Sequence, residues 1–115
     1  MIFNKEGNSI IVVFENSSVS KCLENLTKEF QKIKGNNIIL NLLSFDQFNV
    51  SNALEFLPFS KKHRSEKKSF VLVSDKVSYD DVPEEFCVVP TIQEAKDLIE
   101  MEEIERDLGL SLIHI

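Results

Sequence analysis

The sequence predicts an α/β fold: a four- to five-stranded, mostly parallel sheet with one antiparallel edge strand, covered by about three amphipathic helices. Three observations carry this. Ile10–Phe14, Ile38–Leu43, Phe70–Val73 and Phe86–Val89 are short runs, apolar at nearly every position, as strands are when a parallel sheet is covered on both faces. Stretches with apolar residues at helical spacing lie between or after them. The two kinds alternate, as crossovers between parallel strands require.

Taken in order, Ile2 and Phe3 form a short partner strand that reverses around Gly7 into the run S-I-I-V-V-F. The cluster E-N-S-S supplies helix-capping side chains. Val19, Cys22, Leu23, Leu26, Phe30 and Ile33 then mark a helix of about four turns, which Gly35 and two asparagines end. After the strand I-I-L-N-L-L comes a polar-aromatic loop and a second helix on Val50, Ala53, Leu54 and Leu57. Pro58 lies inside that pattern and predicts a kink or a restart. The segment between Phe70–Val73 and Phe86–Val89 holds turn residues and at most one helical turn. Thr91 and Glu94 then form a capping box, and Ile92, Ala95, Leu98 and Ile99 make the core stripe of the last helix. A chain of 115 residues holds one core, so we expect a single domain over residues 1–110 and an apolar tail at 111–115.

Hydrophobic content of 43% and charged content of 28% fit a soluble globular protein. No apolar run reaches the roughly 18 residues of a membrane span. The opening M-I-F-N-K-E-G lacks the basic-then-apolar pattern of a secretion signal, so the expected location is cytoplasmic, without membrane insertion. Cys22 and Cys87 are expected as reduced core thiols, because neither has a Cys or His at ligand spacing. The net charge of −6 is uneven: Glu94–Asp107 holds seven acids and two bases, whereas K-K-H-R-S-E-K-K at Lys61–Lys68 holds five bases and one acid.

Enzyme chemistry finds little to stand on. The three glycines, at 7, 35 and 109, are too far apart for a phosphate loop or a dinucleotide fingerprint. His63 is expected on the surface within a basic run and His114 in the tail, so neither serves as a base for a serine nucleophile. A hydrolase's cluster of zinc ligands is missing. The acids Glu100, Glu102, Glu103, Glu105 and Asp107 are spread around a helix and read as a solvated face. The basic run, even with Phe59 and Tyr79 near it, is too short to bind nucleic acid in an acidic chain. We expect no catalytic residue, no cofactor, no metal and no nucleic acid partner.

Partner binding is the better-supported expectation. Phe56 and Phe59 lie off the stripe of the second helix, so they either pack on Phe45 and Phe48 or face outward as an aromatic anchor. Met101, Ile104 and Leu108 recur at i, i+3, i+7 opposite the core stripe of the last helix. That spacing suits a helix docked in a groove, on a partner or in a homodimer.

This order of elements resembles the STAS domain of bacterial anti-sigma factor antagonists and sulfate-transporter tails over about residues 8–100. In that family a buried strand leads through a loop into D-S-S-G-L-G-x-L-L, whose second serine opens a helix and is phosphorylated by a partner kinase. The corresponding segment is N-L-L-S-F-D-Q-F-N-V-S-N-A-L-E-F-L, from Asn41 to Leu57, and the matching serine is Ser51. The family's closing t-x-x-e-A-l run is similar to Thr91–Leu98. Asn49 stands for the aspartate, Val50 for the first serine and Asn52 for the glycine, and a loop replaces the helix before the last strand. The ending E-M-E-E-I-E-R-D-L-G also looks like that of small bacterial STAS-like proteins carried under the label ribonuclease Z, a misnomer without the zinc ligands. The resemblance implies a regulatory or scaffold protein whose partner is a kinase-type anti-sigma factor or a transport ATPase subunit. Asn49, Ser51, Asn52, Phe56 and Phe59 would form the binding surface, Met101, Ile104 and Leu108 a second one, and Ser51 the phosphorylation site.

Overall fold

A computed structural model describes residues 2–14, 18–45, 47–83 and 86–107. Leu108 and the tail at 111–115 lie outside them.

The strands are β1 (Ile2–Glu6), β2 (Ser9–Val13), β3 (Asn37–Asn41), β4 (Phe70–Val73) and β5 (Cys87–Val89). They form one five-stranded sheet in the order β1-β2-β3-β4-β5. β1 runs antiparallel to β2, and the other pairs are parallel. Gly7, at φ 61°, makes the hairpin reversal where a side chain would be strained.

The helices are α1 (Val19–Ile33), α2 (Val50–Leu54), α3 (Leu57–Ser65) and α4 (Ile92–Asp107). The expected second helix is thus two, with a restart that sets Pro58 in the first turn of α3. A missing N–H costs nothing there, because the first turn has no acceptor for it.

Alternation along the strands divides the core. Val12, Ile38, Leu40, Phe70, Leu72 and Val88 point to the face covered by α1, α2 and α3, where they pack on Leu26, Phe30, Ala53 and Phe56. Ile11, Ile39, Val71 and Val73 point to the other face, covered by Ala95 and Ile99 of α4. Between β4 and β5 the described residues form only a 3₁₀ turn, at Tyr79–Asp81. Val77, Val82 and Phe86 from this segment pack with the main core. Among the described residues no helix is long and apolar enough to cross a membrane.

Candidate partner-binding surface

The start of α2 sits at the carboxyl end of the sheet, where open α/β sheets gather their binding loops. The Asn41 side-chain oxygen accepts from the Leu43 N–H at 3.1 Å and begins the turn out of β3. The Ser44 hydroxyl donates to the Phe14 carbonyl at 2.9 Å, tying the loop to the end of β2. Phe45 and Phe48 pack together at 6.1 Å between ring centroids, and Phe48 is buried. Asn49 and Asn52 then cap α2 reciprocally: each side-chain oxygen accepts the other's backbone N–H at 3.0 Å. Ser51, between them, is exposed. Among the described residues its hydroxyl has no hydrogen-bond partner.

Of the two aromatics expected either to pack inward or to face outward, one is withdrawn from the surface. Phe56 is fully buried, at 0% exposure, because the restart of the helix turns it inward onto the main core. It offers nothing to a partner. Phe59 is half-buried and lies 5.6 Å from the Phe30 ring of α1. His63 is not on the surface either, at 0% exposure. Its Nε2–H donates to the Asn36 carbonyl at 2.6 Å, and its ring meets Phe30 and Phe70 edge-on. Burial holds its pKa below the ordinary 6.5, against the opposing pull of the Asn36 carbonyl and Glu66.

On α4, two of the three residues of the expected outward stripe are exposed, Met101 at 59% and Ile104 at 49%, and the third, Leu108, lies outside the described residues. The acids are not all a solvated face. Glu102 is turned under the helix, where one oxygen accepts from Arg64 Nη1 at 3.0 Å and the other from the Ser69 hydroxyl at 2.5 Å. Arg106 donates to the same hydroxyl at 3.0 Å, and Arg64 Nη2 to the Cys87 Sγ at 2.9 Å. Cys87 is half-buried and lies on the α4 face, opposite the main core. Burial pushes its pKa up, with Arg64 pulling the other way. Only the Glu102–Arg106 pair, four apart on one helix, was legible as neighbours in the sequence.

The sole described histidine is a neutral core group, and the Cys87 thiol is held protonated. Among the described residues no three His, Cys, Asp or Glu side chains stand together as metal ligands. Asn49, Ser51 and Asn52 are brought together on one turn, while Met101 and Ile104 lie on a separate helix. Compared with known proteins, the chain matches no family model and no curated sequence.

Proposed function

We propose that the chain is a STAS-like, non-catalytic regulatory or scaffold domain of the cytoplasm, which binds a protein partner through Asn49, Ser51 and Asn52. The observation that carries the reading is Ser51. It stands exposed at the second position of a capped helix, at the carboxyl end of a mostly parallel sheet. A phosphate there would add about −1.5 to −2 charges beside the positive end of α2. The neutral surface of Asn49, Ser51 and Asn52 would become negative without any change in the core beneath it. The sequential strand order and the antiparallel edge strand support the resemblance. Exposed Met101 and Ile104 supply a second contact on α4, and a kinase-type anti-sigma factor or a transport ATPase subunit is the partner class that the resemblance implies.

Affinity capture from lysate of the source cells tests this with wild type, Ser51→Ala and Ser51→Asp as baits. A partner retained by Ser51→Ala and depleted about tenfold by Ser51→Asp, equivalent to some 1.4 kcal/mol, is the expected result. Identical partner sets on all three baits reject the site.

A further inference from the structure

Among the described residues β5 ends the sheet, with β4 as its only neighbour. Val89 accepts from the Ser74 N–H at 2.9 Å and so faces β4. Successive residues of a strand point their backbone groups to opposite sides, which turns the Val88 N–H and C=O to the outer edge. Among the described residues nothing hydrogen-bonds them, while the Val88 side chain is buried in the main core. The missing crossover helix leaves a groove of about 970 Å³ along this edge. Val77 and Leu98 line it on either side of the strand, and Asp75, Asp80, Asp81 and Glu94 also line it. Against these four acids stands Lys76, which is already paired with Asp75 at 3.2 Å.

We propose that this groove binds an extended, basic segment of another protein, which adds to β5 as a sixth strand. The exposed edge supplies main-chain hydrogen bonds, as in other strand-addition complexes. Alternate apolar residues of the ligand cover Val77 and Leu98, and lysines or arginines between them meet the acidic rim. A second copy of the chain fits worse, because pairing β5 with itself sets Asp80 and Asp81 against the same acids. The chain's own basic run is also unsuited, since Lys61 and Lys62 are locked in α3. The groove is independent of Ser51 and stands or falls separately from the α2 surface.

The probe is a fluorescent, blocked Lys-Val alternating heptapeptide, with its fully N-methylated analogue as the control of equal charge. Anisotropy is expected to show binding of the first and at least about tenfold weaker binding of the second. Val88→Pro removes the outward donor at an edge position that tolerates proline, and weakens binding similarly. Should that variant fold poorly by circular dichroism, Asp80→Asn/Asp81→Asn leaves the core untouched and is expected to weaken binding about threefold or more and flatten its salt dependence. Absence of binding, or equal binding of the two peptides, overturns the proposal. So does a wild-type dimer in sedimentation that Asp80→Asn/Asp81→Asn strengthens, because the edge then belongs to a second copy.

Discussion

His63 shows how much a single residue's setting decides. Its ring sits between Phe30 and Phe70 with one hydrogen bond, to the Asn36 carbonyl, and its Nδ1 has no partner among the described residues. The pocket therefore accepts the neutral ring. Above the ordinary pKa of 6.5 the folded and unfolded chains are both neutral at this residue, and its contribution is intact. As the pH falls through that value the unfolded chain takes the proton first, so stability is lost toward the lower folded pKa. The urea midpoint is expected to hold between about pH 8 and 7 and to drop between about pH 6.5 and 5. A His63→Gln variant, referred to its own value at the alkaline end, should be flatter across the acid step; a wild-type curve as flat as the variant's would refute this account. The burial is readable in retrospect from Phe56, Ser60 and His63 at i, i+4, i+7, all buried. The flanking lysines and arginine masked that stripe, because their long side chains reach solvent from the borders of a buried face.

At the scale of elements, α4 is anchored by two kinds of chemistry. Its first half is fixed by the Thr91 cap on the Glu94 N–H at 3.1 Å and by Ala95 and Ile99 on the sheet. Its second half is held by Glu102, whose side chain is 19% exposed beside an Arg64 that is 22% exposed. Removing the carboxylate strands the Arg64 guanidinium and the Ser69 hydroxyl. Glu102→Ala is therefore expected to cost about 1–3 kcal/mol, whereas exposed Glu105→Ala stays within about 0.5 kcal/mol. Equal losses in urea titrations of the two variants would show that the buried network contributes nothing. The acidic character of this helix was plain from its composition. Which acid turns inward was not, because Arg64 is 38 residues away in the chain.

One continuous core joins α1, α2, α3 and strands β2 to β5, while among the described residues the opposite face rests on α4 alone. Cys22 lies within the larger core, and burial pushes its thiol up to about 11. A buried, protonated thiol in a cooperative core reacts only when the core opens. In a Cys87→Ser background, labelling of Cys22 by a thiol reagent should follow the same urea curve as far-UV circular dichroism. Labelling that precedes the loss of dichroism would mean that α1 detaches on its own. The sequence by itself determined the elements and their class, since burial on both faces of a strand and on one face of α1 is written in local spacing. It also marked Gly7 and Pro58 as the points where the backbone must turn or restart. Only the tertiary structure decided which aromatics face inward, how Glu102 pairs and that Asp75, Asp80, Asp81 and Glu94 line one groove beside β5. These depend on contacts such as Arg64 with Cys87 and His63 with Asn36, 23 and 27 residues apart. Such contacts have no local periodicity and exist only once the strands are in register.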